Sequence, residues 1–310
     1  MRVVDLYCGI GGFSTGAAQA GHVVALAVDA DARVLATHAR NHRRATHLQL
    51  RLGPHAGSAA RLRAAIAAAV PRGAAYHLHA SPPCQATSQA NRRLSADAKR
   101  RGASLTEWTC ELVEALAPTT WSLEQVATPL ARAVLERQRA LDPARVAYAV
   151  INCASFGVPQ DRRRLIAGSP SLIAAFLARR SAPARSVRAA LGATPTDHVM
   201  NRTTNTPDRR NGGHRPLRPE EHMRPVDRAA YTVLASKPMR WVDAEGVPLR
   251  SLTPEEEAAL QTFPPGYDLG AWPRTVQQRG VGNAVPVEVA RRLMLGAAAS
   301  ARRGRKCRGR

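Results

Sequence analysis

One cysteine of the chain stands on a turn that proline makes rigid. Cys84 follows Pro82 and Pro83, and residues 74–80 before them form an apolar, strand-like run. Each proline fixes its backbone φ near about −65° and removes a hydrogen-bond donor, so the loop is ordered before any substrate arrives. A thiolate held in this way suits nucleophilic attack better than it suits a hydrophobic core. The sequence therefore predicts that Cys84 is a nucleophile.

A glycine-rich segment near the N-terminus has the composition of a cofactor loop. Residues 5–13 read D-L-Y-C-G-I-G-G-F, after the first apolar run and before a helical stretch. Glycine lets the backbone approach a ligand closely, and a helix N-terminus attracts an anion. Asp29 ends the second predicted strand, where such folds often hold a ribose. A cofactor with a nucleoside and an anionic group fits this pattern, although a tight strand-to-helix turn also needs glycine.

Four further motifs follow along the chain, and the ordered set resembles a known enzyme family. They are E-Q-V at 124–126, Q-D-R-R-R at 160–164, the segments R-S-L-T-P-E-E and L-Q-T-F-P within 250–264, and Q-R-G-V-G-N-A-V-P at 278–286. Together with the first two motifs they resemble those of DNA cytosine-5 methyltransferases, over nearly the whole chain except residues 193–226. The resemblance implies methyl transfer from S-adenosyl-L-methionine to carbon 5 of cytosine in double-stranded DNA. It implies S-adenosyl-L-homocysteine as the product and no metal.

The resemblance also implies a role for individual residues. The thiolate of Cys84 adds to carbon 6 of a cytosine that has been flipped out of the duplex, while Glu124 donates a proton to N3. Arg162 and Arg164 lie near the target cytosine and its backbone. The implied cofactor-binding residues are Asp5, Tyr7, Gly9, Gly11, Gly12, Phe13, Asp29, Gln49, Pro82, Asn283 and Val285. The implied DNA-binding residues are Gln85, Ser88, Arg92, Gln160, Arg202, Arg209, Arg210 and Arg215.

Three positions depart from the family pattern. Gln125 replaces an asparagine that steadies the catalytic loop, and its extra methylene predicts a misplaced loop. Thr87 replaces an aromatic residue, and Gln49 is the predicted counterpart of an aspartate that meets the adenine amino group. These changes leave open a catalytically silent DNA-binding relative. A tRNA cytosine-5 methyltransferase of similar fold is the other alternative, although the cysteine–phenylalanine–threonine signature of that branch is absent.

The elements that must position these residues alternate between strand and helix along the first two-thirds of the chain. Predicted strands are Val3–Tyr7, Val23–Val28, Ala74–Ala80, Thr119–Leu123, Val146–Asn152 and Leu165–Gly168. Predicted helices are Phe13–Ala20, Ala32–Asn41, Ala59–Val70, Leu105–Ala117, Pro129–Leu141 and, near the C-terminus, Val287–Ala299. This alternation predicts a doubly wound, mainly parallel α/β sheet of the Rossmann-like methyltransferase kind with a small, irregular target-recognition lobe.

The same reading divides the chain into four regions. Residues 1–192 form a predicted catalytic domain that binds S-adenosylmethionine, and 193–249 a short target-recognition region. Residues 250–301 carry C-terminal motifs that return to the catalytic domain, with a capping box predicted at Thr253 and Glu256. Residues 302–310 are a basic tail that is expected to be disordered. The short recognition region predicts a target of about two to four base pairs, and its arginines favour a site such as CpG or GpC.

Charge and cysteine content limit the class of protein. The chain carries 45 basic and 23 acidic residues, a net charge of +22 that is almost all arginine, which favours a polyanionic partner. Five scattered cysteines without a C-x-x-C pair argue against disulfides and structural zinc and predict a reducing compartment. No apolar run approaches the roughly 18 residues of a membrane span. We therefore expect a soluble, intracellular monomer that acts in cytoplasm or nucleus.

Overall fold

The computed structural model describes residues 1–83, 96–180, 184–192, 194–200, 206–207, 214–215 and 222–308 of the 310-residue chain. The chain divides into two compact units. The first, here called the sheet unit, comprises Met1–Asn152, Arg163–Arg180 and Ala284–Arg310. The second unit comprises Cys153–Arg162 and Ser181–Asn283.

A seven-stranded sheet forms the centre of the sheet unit. Its strands are β1 (Arg2–Leu6), β2 (Val23–Asp29), β3 (Thr46–Gln49), β4 (Tyr76–Ala80), β5 (Thr120–Val126), β6 (Ala147–Asn152) and β7 (Arg163–Gly168), in the order β3-β2-β1-β4-β5-β7-β6. Strands β1 to β5 pair in parallel, whereas β7 is antiparallel to both β5 and β6. The predicted doubly wound α/β fold is therefore confirmed. The apolar runs of β1, β2 and β4 are buried because helices cover both faces of such a sheet.

The helices of the sheet unit follow the strands in the expected alternation. They are α1 (Gly12–Gln19), α2 (Ala32–Asn41), α3 (Ser58–Ala69), α4 (Ala96–Leu116), α5 (Pro129–Leu141), α6 (Pro170–Leu177) and a C-terminal helix, Val287–Arg308. Helix α5 begins where Thr128 accepts a hydrogen bond from the amide of Ala131, with proline in the first turn. Helix α1 packs so closely on the C-terminal helix that a Cβ on Gly16 would lie 2.4 Å from the carbonyl oxygen of Val287.

Several boundaries differ from those that the sequence predicts. Helix α4 begins at Ala96 instead of Leu105, and the C-terminal helix continues to Arg308, so the expected disorder after residue 301 is wrong up to that residue. Strand β3 was absent from the predicted strands because its four residues show no alternation of apolar and polar side chains. Pairing with β2 forms it. Helix α6 was also missed.

The second unit contains a small antiparallel sheet and short helices. Strands β8 (His198–Met200), β11 (Met223–Pro225), β12 (Arg240–Val242) and β13 (Pro248–Ser251) pair in the order β11-β8-β12-β13, and β9 (Thr206–Pro207) pairs with β10 (His214–Arg215). The helices are α7 (Val187–Leu191), α8 (Pro254–Leu260) and α9 (Arg274–Asn283), and the C-terminal helix of the sheet unit is α10. The predicted capping box at the start of α8 is confirmed, with Thr253 and Glu256 exchanging both hydrogen bonds.

Candidate active site

The carboxyl ends of the parallel strands bring most of the predicted site residues of the sheet unit to one edge. Strand β1 lies between β2 and β4, so the chain reverses its direction of winding there, which is where open α/β sheets bind ligands. The loop after β1 contains three residues with positive φ, Tyr7 (57°), Gly9 (55°) and Gly11 (101°). A side chain at Gly9 would point into open space, so the loop leaves room for a ligand against its backbone.

The N-terminus of α1 is prepared for an anion. Its N-cap residue is Gly11, which has no side chain to cap the helix, and its first turn contains no acidic residue. The amides at the start of the helix, those of Gly12 and Phe13 among them, therefore meet no capping side chain. Helix N-termini with this arrangement attract carboxylates and phosphates.

Asp29 stands at the end of β2 beside the glycine loop. Its carboxylate accepts a hydrogen bond of 2.9 Å from the amide of Gly9 and another of 2.9 Å from the amide of Asp31. Burial raises the pKa of Asp29 above its usual value, against the effect of these amides. Gln49 ends the neighbouring strand opposite Asp29 and is exposed, with its side-chain amide 3.3 Å from the carbonyl of Ala30. Both predicted cofactor residues thus lie on one edge of the sheet.

Asp5 and Phe13 lie beneath this edge instead of on its surface. Asp5 is fully buried and accepts a hydrogen bond of 2.6 Å from the hydroxyl of Ser14, which ties β1 to α1. Burial raises the pKa of Asp5 to about 7, although the bond from Ser14 acts in the opposite direction. The ring of Phe13 is buried and stacks on His79 with 3.5 Å between ring centroids. The structure therefore gives both residues internal partners, where the sequence predicts contact with a cofactor.

Gln125 anchors the segment that leads to the predicted nucleophile. Its side-chain nitrogen donates a hydrogen bond of 3.1 Å to the carbonyl of Pro82, and its side-chain oxygen accepts one of 2.8 Å from the amide of Val126. The side chain is buried, so both bonds lie away from solvent. The longer glutamine thus holds the residue two positions before Cys84. The positions of Cys84, Gln85, Thr87, Ser88 and Arg92 lie outside the described residues.

The structure brings Glu124 and Arg164 together. Glu124 is on β5 and Arg164 on the antiparallel neighbour β7, and Nε of Arg164 lies 2.8 Å from Oε1 of Glu124. Both side chains are largely buried, with exposed fractions of 10% and 12%, so solvent screens this ion pair weakly. The arginine fixes the position of the carboxyl group beside Gln125.

Gln160 and Arg162 lie in the second unit and face inward. Gln160 is fully buried, donates 2.9 Å hydrogen bonds to the carbonyl of Leu260 and to the side-chain oxygen of Gln261, and accepts one from the amide of Val233. These bonds of the buried side chain lie within the second unit, and contact of Gln160 with DNA stays a prediction.

Arg162 is also a structural residue of that unit. The side chain is 1% exposed, and its guanidinium donates to the carbonyls of Val233 at 2.9 Å and Gly282 at 2.8 Å. The sequence predicts that this guanidinium meets the target cytosine. Its fork of donors instead joins two backbone segments within the unit, which indicates a positioning role.

The remaining predicted residues are placed as follows. Asn283 ends α9 in the second unit and is exposed, whereas Val285 belongs to the sheet unit and is buried. Arg215 is the second residue of β10. Arg202, Arg209 and Arg210 lie outside the described residues.

Sequence reasoning missed a set of buried polar side chains beneath the same edge, here called the histidine chain: Thr120, His77, Ser122, His79 and Ser81. A signal was present, because His77 and His79 alternate with apolar residues in β4 and therefore share one face of the strand. Thr120 and Ser122 have the same spacing on β5.

The described residues contain no group of three histidine, cysteine, aspartate or glutamate side chains that could hold a metal ion. In the same residues no helix is both long and apolar enough to cross a membrane. The cysteines among them, Cys8, Cys110 and Cys153, are buried free thiols.

Comparison with known proteins finds similarity over most of the chain. The family model for C-5 cytosine-specific DNA methylase matches residues 1–170 and 181–296. A curated relative, the type II methyltransferase M.HgiDI of Herpetosiphon aurantiacus, is 28% identical over 300 residues, which covers 94% of this chain and 92% of that protein.

Solved structures of similar fold support the assignment of the fold. A candidate DNA modification methyltransferase encoded within a prophage of E. coli superposes with a TM-score of 0.66 at 19% identity, covering 96% of this chain and 99% of that one. The Dnmt2 methyltransferase of S. pombe superposes with a TM-score of 0.60 at 16% identity, covering 94% and 96%.

Proposed function

The chain belongs to the C-5 cytosine-specific DNA methylase family, and from this premise we propose that it transfers a methyl group from S-adenosyl-L-methionine to carbon 5 of cytosine in double-stranded DNA. The single observation that carries the proposal is the pairing at the ends of β4 and β5. There Glu124 is fixed by Arg164, and the adjacent Gln125 holds Pro82, two residues before Cys84. The acid and the segment that leads to Cys84 are thus held at neighbouring strands of one sheet.

The glycine loop and the end of β2 fit the cofactor. The uncapped N-terminus of α1 suits the carboxylate of its methionine part, and Asp29 suits the ribose hydroxyls. Gln49, beside Asp29 in the register of β2 and β3, suits a polar edge of the adenine. When bound, S-adenosyl-L-methionine supplies an electrophilic methyl group.

The protein residues supply the activation of cytosine, whose carbon 5 is otherwise a weak nucleophile. The thiolate of Cys84 forms a bond to carbon 6, and Glu124, once it has taken up a proton, passes that proton to N3, so the negative charge that develops on the ring is neutralised. Carbon 5 then takes the methyl group. Loss of the carbon-5 proton to a base, return of the N3 proton to Glu124 and breakage of the bond between carbon 6 and sulfur restore the acid and the thiolate. The base must leave the duplex for this attack, at a cost of a few kcal/mol that contacts in the pocket offset.

Arg164 keeps Glu124 aimed at one position through the whole cycle. A largely buried arginine holds a carboxyl group more firmly than an exposed one, because water competes less for its hydrogen bonds. Within the second unit, Arg162 and Gln160 support the backbone of residues 233 and 282 and act by positioning. We assign target recognition to residues 193–249, where the arginines Arg202, Arg209, Arg210 and Arg215 suit contacts with phosphate and guanine.

A covalent trap tests the reaction. Duplex DNA or tRNA that contains 5-fluorocytosine is incubated with protein and cofactor and then denatured, because fluorine at carbon 5 prevents release of the enzyme. We expect an adduct with DNA that disappears in Cys84→Ala and persists in Cys110→Ala, which removes a buried thiol of the same unit. An adduct with tRNA alone would make the chain a tRNA methyltransferase, and no adduct with either would make it a silent binder.

The position of the methyl group gives an independent test. Mass spectrometry of treated oligonucleotides should find 5-methylcytosine, and a methyl group on an exocyclic nitrogen would overturn the proposed chemistry. Glu124→Gln keeps the shape of the side chain and removes the transferable proton. We expect it to lower kcat by about 100-fold or more, within the range for loss of a general acid. Methylation sequencing of a plasmid expressed with the protein tests the predicted short CpG or GpC target.

A further inference from the structure

The histidine chain runs inside the sheet to the residue before the Pro-Pro turn. Ser122 Oγ on β5 lies 2.8 Å from Nε2 of His77 and 2.8 Å from Nδ1 of His79. At one end, Nδ1 of His77 lies 2.9 Å from Oγ1 of Thr120, and at the other, Nε2 of His79 lies 3.1 Å from Oγ of Ser81. Both imidazoles are fully buried. Four consecutive hydrogen bonds therefore connect the interior of the sheet to the start of the catalytic loop.

The single hydroxyl proton of Ser122 couples the two rings. If His77 donates to Ser122 through Nε2, then Ser122 donates to Nδ1 of His79, and His79 must carry its proton on Nε2 and donate to Ser81. In the opposite arrangement both rings carry the proton on Nδ1, and Ser81 donates. An arrangement in which both rings donate to Ser122 gives its hydroxyl proton no ring acceptor, and one in which neither donates leaves one buried ring nitrogen without a donor from Ser122; both are unfavourable. The two histidines therefore share one tautomer, and this tautomer decides whether Ser81 accepts or donates.

Both rings are held neutral by their surroundings. Burial lowers the pKa of His77 to about 3, and it lowers the pKa of His79 well below its usual value, in each case with a smaller contribution from a neighbouring histidine. A neutral ring has one donor and one acceptor, which is what a directed chain requires.

His79 also contacts the cofactor loop. Its ring is parallel to that of Phe13 within 4°, with 3.5 Å between centroids, whereas His77 is 5.9 Å from the same ring. Phe13 is the second residue of α1, directly after the glycine loop. The imidazole of His79 thus contacts the start of α1, which follows the glycine loop. It also bonds to Ser81, which begins the loop that leads to Cys84. Central strands of a parallel sheet ordinarily carry apolar residues at such positions, so packing alone gives no reason for an imidazole here.

We propose that His79 is a positioning residue that aligns Ser81, and with it the loop that carries Cys84, against the cofactor-binding end of α1. This inference rests on the proposed function for its effect on methyl transfer, but the alignment itself concerns only the loop and its thiol. His79 does not touch substrate. It acts by fixing the direction of the Ser81 hydroxyl and the distance between Ser81 and Phe13 at the start of α1.

A pair of matched substitutions separates positioning from stability. His79→Phe and His77→Phe each place an aromatic ring at a fully buried site on the same face of β4, and each removes two hydrogen bonds. Only the first breaks the bond to Ser81. Ser81→Ala removes the same contact from the other side without altering the core.

The primary measurement is the rate at which iodoacetamide alkylates Cys84, followed by mass spectrometry of the peptide that contains it. It requires neither DNA nor turnover. We expect His79→Phe and Ser81→Ala to change the rate by about tenfold or more relative to the wild-type protein, because a shift near 1 Å alters reactivity strongly. His77→Phe should stay within about threefold of the wild type. Equal rates for the two histidine variants, or a wild-type rate in Ser81→Ala, would overturn the inference.

Turnover and nitrogen NMR complete the test. If the wild type methylates DNA, His79→Phe should lower kcat and trapping by about 10- to 100-fold while KM for the cofactor changes less than about threefold. If the wild type forms no adduct, the proposed function fails, and the alkylation result still decides the positioning role. In 15N spectra, His77 and His79 should report the same tautomer, and Ser122→Ala should uncouple them. Opposite tautomers in the wild type would refute the chain.

Discussion

The two units solve the burial of polar groups in different ways. In the sheet unit the buried network consists of imidazoles and hydroxyls, whose protons can move or be gained. In the second unit it consists of two glutamines and Arg162, whose protonation does not change near neutral pH. The sequence suggested a role in the site for Gln160 and Arg162 and none for the histidines, since Q-D-R-R-R matched a family motif and the histidines matched none. The two buried networks therefore differ in kind: one can orient protons, and the other braces backbone.

The largest loss of stability should come from removing the buried charge of Arg162. Arg162→Met leaves the buried carbonyls of Val233 and Gly282 without their donor, and we expect the free energy of unfolding to fall by about 3–5 kcal/mol. Urea denaturation measures the loss. Arg163→Met is the matched control, because the neighbouring side chain is exposed and should change stability by less than about 0.5 kcal/mol. Equal losses would show that Arg162 does not brace the unit.

The second prediction concerns how the free energy of unfolding depends on pH in acidic solution. Because burial depresses the pKa of His77 to about 3 in the folded state, the unfolded chain binds the extra proton first, and the contribution of His77 to stability falls as the pH decreases from about 6.5 toward 3. The pKa of His42 is lowered to about 4 for the same reason. Asp5 and Glu257, whose pKa values burial raises to about 7, act in the opposite direction.

Unfolding measured at several pH values checks this behaviour. Each histidine contributes a slope of up to about 1.4 kcal/mol per pH unit within its window, so His77→Phe should flatten the acid limb by about that amount. Arg162→Met should lower the whole curve without changing its shape. An unchanged slope in His77→Phe would mean that the ring is not held neutral.

A smaller loss of unfolding free energy should follow from removing one glutamine of the buried network in the second unit. Gln160→Leu removes the acceptor of the Val233 amide and the donor to Gln261, and we expect a loss of about 1–3 kcal/mol at every pH from 5 to 8. A double-mutant cycle with Gln261→Leu should show a coupling above about 0.5 kcal/mol, because the two side chains bond directly. Additive losses would contradict a shared network.

The smallest effect sets the baseline for an ordinary local contact. Thr253→Ala removes the side-chain oxygen that caps α8 and should cost about 1 kcal/mol. The loss should be independent of the histidine and glutamine networks, since the side-chain oxygen of Thr253 bonds to the amide of Glu256 in its own turn. Thermal unfolding of the single variant and of its combination with Gln160→Leu measures both values. If Thr253→Ala lowered the free energy of unfolding more than Gln160→Leu does, the distinction between a buried network and a local contact would fail.

Much of the fold could be predicted from sequence because its signals are local. Six of the seven helices that the structure describes in the sheet unit, and six of its strands, were expected near their observed positions, from apolar runs, glycine turns and caps. Strand β3 could not be predicted, because its residues show no alternation and β2 creates it by pairing. The antiparallel insertion of β7 between β5 and β6 is likewise a long-range choice.

The candidate site also contains features that the sequence predicts and features that it does not. The sequence pointed to Asp29, Glu124 and Arg164 at the strand ends, and the structure places them there. It also led to the expectation that Gln125 misplaces the loop, whereas the side chain bonds to the carbonyl of Pro82. Whether one methylene helps or harms depends on the distance between two strands, which no local pattern contains.

The amino-acid sequence alone determined the family, the strand-and-helix alternation and the types of group that could react, because these depend on residue identity and spacing along the chain. Only the tertiary structure decided which polar groups face a ligand and which face each other. Gln160 and Arg162 became internal braces, and His79 became the link between Phe13 and Ser81. The physical reason is burial, which forces each polar group to find its partner among residues distant in sequence.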